Sequence, residues 1–99
     1  MVLAKLPDAP EGSRGISLFL VPKFLDDGDG LSSQINGTSI SGIEEKMGLH
    51  GSPTCVLNFD SSKGWLMGEA HTGMAKMFEM MNRERLATGM MGLGLGEIA

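Results

Sequence analysis

Two charged residues, Glu84 and Arg85, lie where a helix would place its apolar side. Steps of three and four residues from Met81 reach both of them, and the next step from Glu84 reaches Thr88. Ionisable groups are costly on an apolar face unless they are paired or used in chemistry. One interpretation is a general base, because a carboxylate shielded from water is a stronger proton acceptor. The alternative is a hydrated patch in which Arg83, Glu84 and Arg85 flank the apolar stripe, and spacing alone favours this patch.

The other candidates for catalysis or metal binding lack the neighbours that such chemistry needs. No Cys, His or Asp cluster with metal-ligand spacing surrounds His50 or His71, which are therefore predicted to be ordinary loop histidines. Cys55 lies within an alternating apolar segment and is predicted to be a small core residue. Ser52 stands between glycine and proline, which is not a nucleophile elbow.

Composition excludes several classes of protein. The 99 residues carry a net charge of −4, which gives no basic surface for nucleic acid. A single cysteine cannot form an internal disulfide, and no apolar run approaches the roughly 18 residues of a membrane helix. These features predict a soluble cytoplasmic chain without a membrane span. Nine methionines and fifteen glycines argue against a tightly packed, self-contained core.

The first two-thirds of the chain has the patterns of short β-strands. Residues 2–6 and 15–22 are predicted to form an antiparallel hairpin around a loop rich in proline and glycine. Residues 26–30 resemble a calcium loop, but the closing Glu is absent, so an acidic turn is the better interpretation. Weak alternation over 31–43 predicts one or two half-exposed strands. Clearer alternation over 54–60 predicts another strand, and 63–68 a short strand or turn.

From about Thr72 the apolar period changes from two to 3.6, which predicts a helix of about 26 residues. Thr72 is an acceptable N-cap. The apolar stripe is formed by Met74, Met77, Phe78, Met81, Thr88, Met91, Leu95 and Ile98.

The second half of this helix has apolar residues on more than one face. Met90 and Leu93 lie off the stripe, and a helix that is apolar nearly all round is normally buried in a larger assembly. Gly89, Gly92 and Gly96 would leave a groove that another backbone can approach closely. The run containing Gly92 and Gly96 follows a helical pattern, so it does not satisfy the context of a dinucleotide-binding fingerprint.

Three segments together resemble the acyl-CoA dehydrogenase family. They are GISLFLVPKF at 15–24, EEKMGLHGSPTCVLNFD at 44–60, and GWLMGEAHTGMAKMFEMMNRERLATGMMGLGLGEIA at 64–99. Each motif is weak alone, but their order and spacing match the family over nearly the whole chain. The resemblance implies an α+β fold, with a mostly antiparallel β half-barrel or sandwich followed by one long C-terminal α-helix. Residues 1–70 would be the second half of the family's middle β-domain, and 71–99 the first long helix of its C-terminal helical domain.

The resemblance also implies a function. Enzymes of this family use FAD to oxidise acyl-CoA thioesters to 2-enoyl-CoA, pass electrons to electron-transfer flavoprotein and usually form homo-oligomers. The loops that hold the flavin precede the matching region, and the helices that close the pocket follow it. The 99 residues alone are therefore expected to bind FAD weakly or not at all and to be inactive.

Site residues follow from the same resemblance. Asn82, Arg83, Glu84 and Arg85 match the tetrad of the family's long helix that contacts acyl-CoA. Arg85 matches the family's recurrent Arg, whereas Asn82 replaces an Asp that is often found there. Glu84 matches the catalytic base of some branches, while most branches place the base further along the chain. Glu84 is thus either the base or a substrate-lining residue.

A function of a different class remains open. The chain could be a stand-alone β-sandwich interaction module that binds a partner through its Met-rich helix. Such a module would cover its own helix and melt cooperatively as a monomer, whereas part of an enzyme would depend on further domains.

Overall fold

The structure is a computed structural model that describes residues 1–26, 28 and 34–99. These residues divide into two compact units, one formed by Met1–Leu20 with Trp65–Ala99 and the other by Val21–Gly64. Three residues of the predicted acidic turn (27, 29 and 30) and the start of the next predicted strand region (31–33) lie outside the described residues. The elements are β1 (Val2–Lys5), a 3-10 turn (Ser13–Gly15), β2 (Ile16–Leu20), β3 (Phe24–Leu25), β4 (Gln34–Ile35), β5 (Thr38–Ile43), β6 (Cys55–Phe59), β7 (Trp65–Leu66) and α1 (Gly73–Ile98).

The first unit contains a three-stranded antiparallel sheet and the long helix. Its strand order is β1-β2-β7, with Ala4 opposite Ser17 and Leu20 opposite Trp65. The predicted hairpin of the first two strands is therefore confirmed. Helix α1 has 26 residues, as the change of period predicts, and contacts β2.

The start of α1 differs from the sequence prediction in one respect. Thr72 holds the N-cap position but makes no side-chain capping bond. Its hydroxyl instead donates to the carbonyl oxygen of Glu69 at 2.7 Å, so the side chain stabilises the preceding turn rather than the helix.

The second unit consists of two-stranded antiparallel pairs, β3 with β4 and β5 with β6. Its strands near 38–43 and 55–59 confirm the alternating segments, whereas the two-residue β3 was not predicted, because two residues carry no detectable period. The register between β5 and β6 shifts between Ile40 and Gly42, which marks a bulge.

Asn36 is the hydrogen-bonding centre of the second unit and is 3% exposed. Its side-chain amide donates to the carbonyl oxygens of Pro22 and Lys63 at 2.9 and 2.7 Å. Its side-chain oxygen accepts from the Lys63 N–H at 2.7 Å. Next to it, Gly37 has φ +64, and a Cβ there would meet the carbonyl oxygen of Asp60. The buried Asn36 amide and the close approach at Gly37 thus connect the backbone near Pro22, the backbone at 36–37 and the backbone at 60–63.

Among the described residues, no hydrophobic side chain is fully buried. The buried residues are small or polar: Gly15, Ser17, Asn36 and Gly73. Cys55, predicted as a small core residue, is only half-buried at the start of β6, because the described part of the chain has no apolar core for it to join. Antiparallel sheets with one long C-terminal helix confirm the α+β class, and the half-barrel or sandwich arrangement stays a prediction.

Candidate functional site

Glu84 and Arg85 lie in the middle of α1, three and four residues beyond Met81. Both side chains are exposed to solvent in this chain. Half-buried methionines in the first turns of the helix, Met74, Met77 and Met81, follow its apolar stripe. Because a helix turns by about 100° per residue, Glu84 and Arg85 stand on either side of the line that these methionines define. The sequence prediction that the pair lies on or beside the stripe agrees with this position.

The Arg85 guanidinium lies over the ring of Phe78, with its carbon 5.9 Å from the ring centroid. Such a cation–π contact favours one direction of a long, otherwise mobile side chain. The hydroxyl of Thr88 donates to the main-chain carbonyl oxygen of Glu84 at 2.9 Å. This bond uses the backbone of Glu84 and not its carboxylate. Arg85 thus lies against the stripe residue Phe78, and the side chains of both Glu84 and Arg85 are accessible to solvent.

The four residues of the tetrad do not share one side of the helix. Successive side chains are separated by about 100°, so Arg83 lies roughly opposite the methionine stripe. Asn82 and Glu84 likewise lie on different sides. A single ligand along the stripe side would therefore meet Glu84 and Arg85 more readily than Asn82 or Arg83.

The helix carrying this pair is anchored at its first residue. Gly73 is buried against β2, and a Cβ built there would lie 2.6 Å from the main-chain carbon of Ser17 and 2.9 Å from the carbonyl oxygen of Ile16. Ser17 is fully buried, and its hydroxyl accepts a hydrogen bond from the main-chain N–H of His71 at 2.9 Å. Sequence reasoning missed both Ser17 and Gly73 as anchors. The available indication was the one polar residue inside the apolar segment of β2.

The remaining candidates make local structural contacts. A ring nitrogen of His50 lies 3.1 Å from the carbonyl oxygen of Lys46, and the Lys46 ammonium donates to the carbonyl oxygens of Leu49 and Ser52 at 3.2 and 2.5 Å. His71 acts through its main-chain N–H, while its ring is 3.4 Å from the carbonyl oxygen of Gly15. Within the described ranges no group of three or more His, Cys, Asp or Glu residues could hold a metal ion.

The described residues do not by themselves fit FAD. The backbone of β2 lies against Gly73 at the start of α1, so a large group cannot approach the helix from that side. The run from Gly92 to Gly96 lies inside the helix, so its N–H groups are used in helical hydrogen bonds and cannot cradle a phosphate. A cofactor of this size must be enclosed on several sides, whereas the large apolar side chains of β6 and of the second half of α1 face solvent. None of the helices in the described part of the chain is long and apolar enough to cross a membrane.

No protein-family model matches this sequence. Curated relatives do. The sequence is 46% identical over 99 residues to 3-methylmercaptopropionyl-CoA dehydrogenase of Ruegeria pomeroyi, a match that covers 100% of this chain and 17% of that protein. It is 47% identical to a butyryl-CoA dehydrogenase of Syntrophomonas wolfei, over 95% of this chain and 17% of that protein. It is 44% identical to a broad-specificity linear acyl-CoA dehydrogenase of Mycobacterium tuberculosis, over 90% of this chain and 15% of that protein.

The chain spans about a sixth of the length of the curated relatives it matches, and the alignments cover 95% or more of its residues. The names of these relatives share one enzyme type, although the substrates in the names differ. The family expected from the three sequence segments is confirmed, and the chain belongs to the acyl-CoA dehydrogenase family.

Proposed function

We propose that this chain is the part of a longer FAD-dependent acyl-CoA dehydrogenase that carries the second half of the middle β-domain (1–70) and the first long helix of the C-terminal domain (71–99). The complete enzyme oxidises acyl-CoA thioesters to 2-enoyl-CoA. The observation that carries this proposal is 44–47% identity to dehydrogenases named for acyl-CoA substrates, over 90% or more of this chain. The antiparallel sheets followed by one long helix are compatible with it.

The proposed roles in this chain centre on α1. The Glu84 carboxylate either removes the α-proton of the acyl-CoA thioester or lines the pocket that holds the substrate. Arg85, held over Phe78, contributes a fixed positive charge beside it. Asn82 and Arg83 belong to the same substrate-contacting tetrad, but their directions around the helix suit different parts of a large ligand or a neighbouring domain.

The cofactor and partners follow from the family. FAD supplies the oxidising equivalent when it is bound, and the exposed apolar surface of this chain implies that further protein is needed to enclose it. Electron-transfer flavoprotein would accept the electrons. The enzyme would be a cytoplasmic homo-oligomer, and the isolated 99 residues would be inactive.

A chimaera tests this proposal directly. The stretch of the Syntrophomonas wolfei butyryl-CoA dehydrogenase that aligns with this chain would be replaced by residues 1–99, and the product assayed for flavin content and oxidation of butyryl-CoA. Activity within tenfold of the parent is expected, because the two segments are 47% identical. A folded, flavin-loaded chimaera without activity would contradict the proposed function.

The same chimaera separates the two roles of Glu84. Glu84→Gln keeps the shape but removes the proton-accepting charge, so a base role predicts a loss in kcat of at least about 10²-fold. A substrate-lining role predicts a change mainly in KM. Glu79→Gln is the matched control, because Glu79 is an exposed carboxylate of the same helix. Equal effects of both variants on kcat and KM would contradict a role of Glu84 in catalysis or substrate binding.

One observation favours the second candidate, a stand-alone interaction module. The helix exposes Met90, Met91, Leu93 and Leu95, a surface suited to binding an apolar partner. The lack of any buried hydrophobic side chain in the described residues speaks against independent folding. Cooperative melting of a monomer at low concentration, followed by far-UV circular dichroism and sedimentation, would support the module instead.

A further inference from the structure

The start of α1 meets β2 without space for a side chain. From a Cβ at Gly73, the main-chain nitrogen of Leu18, the carbonyl oxygen of Ile16 and the main-chain carbon of Ser17 would all be nearer than 3 Å. These are backbone atoms of a paired strand, so they cannot rotate away as a flexible side chain would. Any residue larger than glycine at this position must therefore displace the helix.

A hydrogen bond fixes the residues that lead into this contact. The buried Ser17 hydroxyl accepts the N–H of His71 at 2.9 Å, two residues before Gly73. His71 has φ +65, a left-handed conformation that is uncommon for a residue other than glycine. The bond to Ser17 offsets part of the cost of that conformation and sets the direction in which the chain enters the helix.

Together with the half-buried residues that follow up to Met81, these contacts orient α1 among the described residues. Half-burial ends at Met81, and every residue from Asn82 onward is exposed. Glu84 lies eleven residues beyond Gly73, which is about 16 Å along a helix. An error of position or tilt at the first turn is therefore carried to Glu84 and Arg85, because beyond Met81 the helix is not packed against any other described residues.

We propose that Ser17 and Gly73 are positioning residues that set where Glu84 and Arg85 stand. They act through the backbone of the helix and touch neither substrate nor cofactor. The mechanical part of the inference concerns this chain alone, and its consequence for catalysis rests on the proposed function. A displacement of about 1 Å at a reacting group can reduce turnover by about 10²-fold.

The mechanical part is tested by the distance between two spin labels. Ala4, which lies opposite Ser17 in the sheet, and Ala87, beyond Glu84 on the helix, are both exposed and accept labelled cysteines. The native thiol is first removed by Cys55→Ser. The labels are placed in the chimaera, whose other cysteines are also replaced, and doubly labelled protein is diluted into unlabelled protein so that only distances within one molecule contribute.

Three variants give distinct expectations. Gly73→Val is expected to shift the mean distance by about 2 Å or more, because its side chain must move the helix away from β2. Ser17→Ala is expected to broaden the distribution. Ala75→Val, at an exposed residue of the same first turn, is expected to leave mean and width unchanged. A broad distribution in the unsubstituted chimaera, or a Gly73→Val distribution identical to it, would overturn the inference.

The consequence for catalysis is measured in the chimaera. Gly73→Ala is expected to lower kcat by about 10- to 100-fold, with KM and flavin content unchanged, because substrate and cofactor still bind while Glu84 is misplaced. A parallel loss of flavin would indicate a general folding defect and contradict a positioning role. An inactive unsubstituted chimaera would contradict the proposed function, whereas the spin-label distances would still decide the mechanical part.

Discussion

The two ends of α1 are made of similar residues but have opposite surroundings. Residues 73–81 include a buried glycine and three half-buried methionines, and this end of α1 contacts β2 through Gly73. Residues 82–98 are also rich in glycine, methionine and leucine, yet all of them are exposed. The comparison teaches that composition gives both ends their capacity to pack, whereas among the described residues only the first end has a packing partner.

Glycine has a different consequence at each end. At Gly73 the missing side chain permits contact with the backbone of β2. At Gly89, Gly92 and Gly96 a Cβ would meet nothing within 4 Å, so within this chain these glycines only weaken the helix.

The largest expected effect is that of Gly73→Ala. Overpacking against the β2 backbone is expected to lower the free energy of unfolding by about 3 kcal/mol, although alanine is the better helix former. Urea unfolding of the chimaera, followed by far-UV circular dichroism, measures this change. An increase in stability would show that the two backbones separate at little cost, and the contrast between the two ends would disappear.

Ser17→Ala is expected to have the second largest effect. It should lower the free energy of unfolding by about 2 kcal/mol, because the His71 N–H loses its buried acceptor. Ser39→Ala serves as the control, since Ser39 is an exposed strand serine, and should change stability by less than about 0.5 kcal/mol. The same urea titration compares the two. Equal effects would mean that burial of Ser17 contributes nothing to the anchor.

Gly92→Ala is expected to have the opposite sign to Gly73→Ala. In the isolated chain it should stabilise the helix by about 1 kcal/mol through helix propensity, because no described residue lies within 4 Å of a Cβ at this position. Thermal unfolding of both variants side by side measures the difference. Destabilisation by Gly92→Ala would indicate a contact at this end, for example with a second copy of the chain.

The smallest expected effect concerns Arg85 and Phe78. Their contact should be worth about 0.5 kcal/mol, as is usual for exposed cation–π pairs. A double-mutant cycle with Phe78→Leu and Arg85→Gln isolates the coupling. A coupling of zero would mean that Phe78 does not hold Arg85 along the stripe, and the preferred direction of Arg85 would then need another cause.

Local patterns predicted much of this structure. The strands near 2–5, 16–20, 38–43 and 55–59 follow from alternation between turn-forming residues, and the 26-residue helix follows from its change of period. The two-residue β3 and the missing side-chain bond at Thr72 were not foreseen, because single residues and pairs carry too little periodic information. For the candidate site, spacing placed Glu84 and Arg85 beside the apolar stripe, while their roles stay predictions.

The sequence by itself determined the element types, the apolar stripe of α1 and the membership of the acyl-CoA dehydrogenase family, because these depend on local spacing and on similarity along the chain. Only the tertiary structure decided which residues hold the elements in place. Ser17 and Gly73 are distant in sequence and meet only when the helix lies on β2, and Asn36 reaches Lys63 only when the second unit is folded. Such contacts join residues that no local period connects, and they depend on close backbone packing and on satisfying buried polar groups.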